Sequence, residues 1–126
     1  MVRCMERVFT HAEATALLPR LTELLTVLRD AHRTALDKAA ESDYHAASSN
    51  GSAAAAIKAS GPFHQAQRVS ADIDRLGVIL RDPDTGLVDF ASAREGEPIY
   101  LCWRLGEDRI GYWHPRDTGF MGRLPL

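Results

Sequence analysis

Four side chains in the C-terminal half carry most of the chemistry this sequence could perform: His114, Asp89, Tyr100 and Asp117. An imidazole titrates near neutral pH and is also a common metal ligand. Set beside carboxylates and a phenol, it could hold a divalent transition metal or run general acid–base chemistry. His114 precedes Pro115, which restricts its backbone to an extended form. In an antiparallel meander it would lie at the corner where the third strand begins, near Ile99 and Tyr100. The second strand returns to that corner with Asp89, and Asp117 follows three residues after His114. His114, Asp89 and Tyr100 are therefore the catalytic candidates, and His114, Asp117 and Asp89 the candidate metal ligands. The plainer alternative is that His114 caps the sheet edge and Asp89 bonds backbone in a turn.

Other reactive residues fit less active roles. Glu107 and His114 sit at opposite ends of a strand rising about 3.4 Å per residue, so one subunit keeps them apart. Glu107 reads as a turn residue. Cys102 lies between Leu101 and Trp103 and reads as a buried, inert thiol. A Cys/His pair would need the Tyr112 side of the sheet to supply the histidine. Arg104 and Arg123 suit salt bridges to the acidic turns, with anion contacts as the alternative. A second constellation of His45, His64 and Asp43 would meet at the loop end of a helical hairpin and could bind a transition metal. His11 and His32 occupy ordinary amphipathic positions.

The elements that position these residues begin with a capping box, Thr10 with Glu13 three residues on. A short helix over 11–18 follows. Pro19 has no N–H to donate to Thr15, so a long helix restarts there. Its apolar stripe runs Leu17, Leu21, Leu24, Leu28, Ala31, Ala35, spaced four and three, with Leu18, Leu25 and Leu36 widening it. Ser48-Ser-Asn-Gly-Ser52 is a connector, and Ala53–Ala59 favours one or two helical turns by propensity alone. Ser60 caps a second helix striped Pro62, Ala66, Val69, Ile73, Leu76, ended by Gly77. Two striped helices joined by a loop pair antiparallel. The first, at about 27 residues, would be roughly 40 Å long and would outreach the second. That excess stripe predicts a homodimer through the helices.

After Gly77 the period changes from helical to alternating. Strands are expected at 78–80, 87–90, 99–105 and 110–113, separated by turn-rich Asp82-Pro-Asp-Thr-Gly86, Arg94-Glu-Gly-Glu97 and Gly106-Glu-Asp108. Alternation sends Ile99, Leu101, Trp103 and Leu105 to one face, toward the helices. Tyr100, Cys102 and Arg104 take the other face. It is half apolar, so the tail or a second subunit should cover it. Residues 114–126, with Pro115, Gly119, Gly122 and Pro125, read as an irregular tail.

Composition narrows the function classes. With 126 residues, net charge −2, 45% hydrophobic and 25% charged residues, the chain is an ordinary single globular domain. No basic excess exists to neutralise a phosphate backbone, which argues against nucleic acid. No apolar run approaches the roughly 20 residues of a membrane span. Two cysteines, Cys4 and Cys102, form no framework, and the N-terminus lacks a signal peptide's apolar core, so the expected compartment is the cytoplasm. Phosphate-loop, dinucleotide, zinc-protease and serine-hydrolase signatures are absent from the sequence.

Gly86-Leu-Val-Asp-Phe90, Ile99-Tyr-Leu-Cys-Trp-Arg-Leu-Gly-Glu107, Tyr112-Trp-His114 and Gly119-Phe-Met-Gly-Arg-Leu-Pro-Leu126 form a distinctive set. Together with Phe9-Thr-His-Ala-Glu-Ala14 and Leu17-Leu-Pro19, they resemble a bacterial family catalogued as domain of unknown function 2203. The resemblance implies a small prokaryotic protein with helices before strands. It implies no activity, and it does not extend over 42–60.

The expected architecture is thus a single α+β domain over 1–126. A long antiparallel helical hairpin (9–76) precedes a four-stranded antiparallel β-meander (77–113) and an irregular tail (114–126). Two functions fit. The first is a small dimeric binding or scaffold protein, suggested by the long stripe and the absence of a complete catalytic motif. The second is a small metal-dependent or acid–base enzyme with a pocket around His114, Asp89, Tyr100 and Asp117.

Overall fold

The computed structural model describes residues 7–46 and 61–126, with side chains described for 7–37 and 61–126. Its order is α1 (His11–Ala16), α2 (Leu18–Ala46), α3 (Gly61–Arg75), β1 (Ile79–Asp82), β2 (Leu87–Arg94), β3 (Glu97–Arg104), β4 (Tyr112–Pro115), a short 3₁₀ turn (Phe120–Gly122) and β5 (Leu124–Pro125). The capping box is present in full. Thr10 Oγ1 accepts from the Glu13 N–H at 3.0 Å, and Glu13 Oε1 accepts from the Thr10 N–H at 2.8 Å. The bond from the Thr10 N–H also lowers the pKa of the Glu13 carboxyl.

The break between the first two helices falls at Leu17, one residue earlier than the proline suggested. Pro19 sits in the first turn of α2, where a backbone donor would have no intrahelical partner. The stripe residues Leu21, Leu24, Leu28, Ala31 and Ala35 are buried, whereas Leu36 is half exposed. Val69 and Ile73 of α3 face them. At 29 and 15 residues, α2 and α3 are about 43 and 22 Å long. The cap at Ser60 and the turns at Ala53–Ala59 lie outside the described residues.

The sheet has five strands, not four, in the order β1-β2-β3-β4-β5, each antiparallel to its neighbour. The tail expected to be irregular contributes the fifth. Leu124 pairs with Trp113, Pro125 with Tyr112, and the Leu126 N–H donates to the Gly111 carbonyl at 2.9 Å. His114 and Pro115 belong to β4 rather than to the tail, because they pair with Tyr100 and Ile99 of β3. A proline-containing strand is tolerated here because β5 lies at the sheet edge. Val88, Phe90, Ile99, Leu101 and Trp103 turn inward and join the helical leucines in one core. Phe9 extends this core, its N–H donating to the Ala91 carbonyl at 2.8 Å.

The β2–β3 turn places Glu95 (φ 52°) and Gly96 (φ 81°) in left-handed backbone, the pattern of a tight two-residue hairpin turn. Gly86 is also left-handed, at φ 73°, and a side chain there would put its Cβ 2.5 Å from the Leu105 Cβ. The two glycines should respond differently to alanine in urea denaturation. Gly96→Ala, with open space around it, is expected to cost about 1 kcal/mol for conformation alone. Gly86→Ala adds a steric clash and is expected to cost about 3 kcal/mol.

Candidate functional site

The pleat sends Asp89, Cys102 and His114 to the outer sheet face, opposite the helices. Register brings them together: Asp89 pairs across from Cys102, and His114 across from Tyr100, two residues away. All three are buried, at 2%, 0% and 2% exposure. A carboxylate oxygen, the thiol sulfur and a ring nitrogen all lie within 4.8 Å of one another, a group that could hold a metal ion.

Hydrogen bonding orients each donor. His114 Nδ1 lies 2.8 Å from the Pro115 carbonyl oxygen, to which it donates. Its Nε2 lies 3.0 Å from Asp89 Oδ2. Nδ1 held by a carbonyl, with Nε2 turned inward, is the arrangement that fixes the tautomer of a metal-binding histidine. Asp89 Oδ2 also accepts from Arg81 Nε at 2.8 Å. Arg81 reaches it because the β1–β2 register shifts between Leu80 and Asp82, leaving Arg81 outside the regular ladder. Asp89 Oδ1 is buried and accepts no hydrogen bond of ordinary geometry. Burial first, and the negative charge of Asp89 second, push the Cys102 thiol up to about 12.

The tail roofs this group. Arg116, Asp117, Thr118 and Phe120 join Arg81 and Leu87 around a cleft of about 390 Å³ whose floor is Asp89, Cys102 and His114. The roof is pinned by Arg123, which donates to both Glu107 oxygens at 2.7 and 2.8 Å and stacks on Tyr112 and Phe120 at 4.0 and 4.6 Å. Glu107 Oε1 in turn accepts from the Arg104 N–H at 2.8 Å, so Glu107 is a turn residue tied to Arg104 and Arg123. Arg104 sits over the Phe120 ring rather than in a salt bridge to an acidic turn.

The candidates separate as follows. His114 and Asp89 meet, and Asp89 bonds Arg81 and His114 rather than turn backbone. Tyr100 is not among the three donors. Its ring lies 5.5 Å from that of His114, with the Arg81 and Arg116 guanidiniums 5.0 and 4.5 Å from its centre. Asp117 is likewise outside the donor group, because it follows β4 on an exposed turn and reaches only the rim of the cleft. Cys102, read from sequence as inert, is the third member. The available signal was the shared outer face of Cys102 and His114 across the β3–β4 pair. Of the second constellation, His64 is exposed on α3 beside Phe63, 5.9 Å between rings. The side chains of Asp43 and His45 lie outside the described residues. His11 has a specific task, its Nε2 lying 2.8 Å from the Ile110 carbonyl oxygen.

Residues 7–126 match the family described as "Uncharacterized conserved protein (DUF2203)". The chain belongs to that family. No curated protein and no solved structure matches it. Among the described residues, no helix is long and apolar enough to cross a membrane.

Two measurements check the site. The unfolded thiol titrates near 9.0, and the folded one is raised to about 12. The native state therefore holds this proton more tightly, and its contribution is complete below pH 9 and lost as pH rises toward about 12. In metal-free Cys4→Ser protein, urea midpoints should fall over that window, and Cys102→Ala should flatten the fall. Asp89→Asn removes the carboxylate that serves Arg81 and His114, and is expected to destabilise by about 3 kcal/mol in the same assay.

Proposed function

We propose that this protein binds a divalent transition metal of the zinc class through Asp89, Cys102 and His114. The observation that carries the reading is Asp89 Oδ1, a buried carboxylate oxygen without a hydrogen-bond partner beside a buried thiol and an oriented imidazole. Leaving such an atom unsatisfied costs about 1–3 kcal/mol or more, and a cation among the three donors would satisfy it. The donor set of nitrogen, sulfur and oxygen favours zinc and its neighbours over calcium or magnesium. Donors of a tetrahedral zinc site lie about 3.5 Å apart, so the present spacing needs only small side-chain adjustments. Three protein ligands facing a cleft match a catalytic site with an open position better than a closed structural one. This favours a metal-dependent enzyme, with Asp117 at the cleft as a proton-transfer group.

Cobalt(II) titration of the metal-free protein tests the metal. One equivalent should bind and give a thiolate-to-cobalt charge-transfer band. Cys102→Ala should abolish the band, and His114→Ala should weaken binding about 100-fold or more. Protein that takes up no cobalt, and contains no zinc when purified without an affinity tag, would end this reading.

A second reading is a homodimeric binding or scaffold protein joined through its helices. It draws on an apolar cleft of about 790 Å³ between α2, α3 and β1, lined by Leu28, Ala35, Leu36, Phe63 and Leu80. Sedimentation velocity at micromolar concentration should then show a dimer that Leu36→Glu dissociates. A monomeric wild type removes this reading.

A further inference from the structure

We propose that the cleft over the Asp89–Cys102–His114 centre takes a small oxyanion, a carboxylate or phosphate group, held between Arg81 and Arg116. The inference rests on the metal reading above and adds the chemical class of the molecule that shares the site.

The argument starts from charge. Asp89 Oδ2 now serves two partners, Arg81 Nε at 2.8 Å and His114 Nε2 at 3.0 Å. A divalent cation on the three donors would be balanced by the Asp89 carboxylate and the Cys102 thiolate, with His114 contributing a neutral nitrogen. Asp89 would then be shared with the cation, and Arg81 would lose much of its counter-charge. Arg116 lines the same cleft, against the single exposed carboxylate of Asp117. The loaded cleft therefore carries one net positive charge at its mouth, directly over the open side of the centre. Such a cleft admits an anion and disfavours a cation.

Shape gives the same answer. Arg81 and Arg116 both pack on the Tyr100 ring, 5.0 and 4.5 Å from its centre, which holds two long side chains at one wall of the cleft. Planar guanidiniums fixed by stacking recognise carboxylate and phosphate oxygens with little further loss of freedom. The volume, about 390 Å³, lies at the small end of ligand sites. Leu87 and Phe120 supply apolar surface for a short carbon skeleton. One oxygen of the anion would occupy the open metal position while the others meet the guanidiniums.

The test uses the full chain loaded with cobalt(II), titrated with sodium acetate, inorganic phosphate and neutral acetamide. The charge-transfer band reports the metal, and the visible d–d bands report its open position. Acetate, phosphate or both should change the d–d bands saturably, acetamide should not, and the more effective anion identifies the headgroup. Arg116→Gln should weaken the effective anion about tenfold while the charge-transfer band persists. A charge-transfer band with d–d bands unmoved by either anion overturns this proposal and leaves the metal reading standing. An equal response to acetamide, or an unchanged anion affinity in Arg116→Gln, also overturns it. Failure to bind cobalt overturns both.

Discussion

A carboxylate buried in the middle of a β-strand must find cations or donors, and Asp89 organises much of this molecule around that need. Moving a carboxylate out of water costs several kcal/mol unless it is paired. Here two other strands supply the partners. Arg81 reaches in from β1 through a register shift, and His114 arrives from β4, beyond β3, because the pleat points it to the same face. Three strands are thereby tied through one oxygen atom. The other carboxylate oxygen accepts no hydrogen bond of ordinary geometry and faces the group formed with Cys102 and His114.

The two faces of the sheet divide the work between stability and chemistry. The inner face buries Val88, Phe90, Leu101 and Trp103 against the helical leucines and contributes most of the hydrophobic stabilisation. The outer face holds the polar group, and among the described residues no α-helix lies over it. The tail covers it instead, fastened by the Arg123–Glu107 pair and the short β5 ladder. The group is thus built on strands and roofed by a pinned loop, an arrangement that holds its side chains rigidly.

On the metal reading proposed above, binding at these three donors would include release of a proton. Burial, and after it the charge of Asp89, disfavour the Cys102 thiolate and push the thiol up to about 12. A cation reverses that balance, since a coordinating thiol gives up its proton outright. Under the metal reading proposed above, affinity would therefore rise with pH.

Local signals in the sequence determined the elements. The Thr10–Glu13 box, the four-and-three leucine spacing and the alternation from Ile99 onward each depend on neighbours a few residues away, and each is found in the structure. They also sufficed to bring His114 and Asp89 to one corner. Cys102 joined them only through register, because pairing Asp89 with Cys102 and Tyr100 with His114 depends on turn lengths that no short motif specifies. The register shift that frees Arg81, the fifth strand, and the exclusion of Tyr100 and Asp117 from the donor group have the same origin. They are settled by which chain segments lie side by side after folding, and that is a property of the whole sheet.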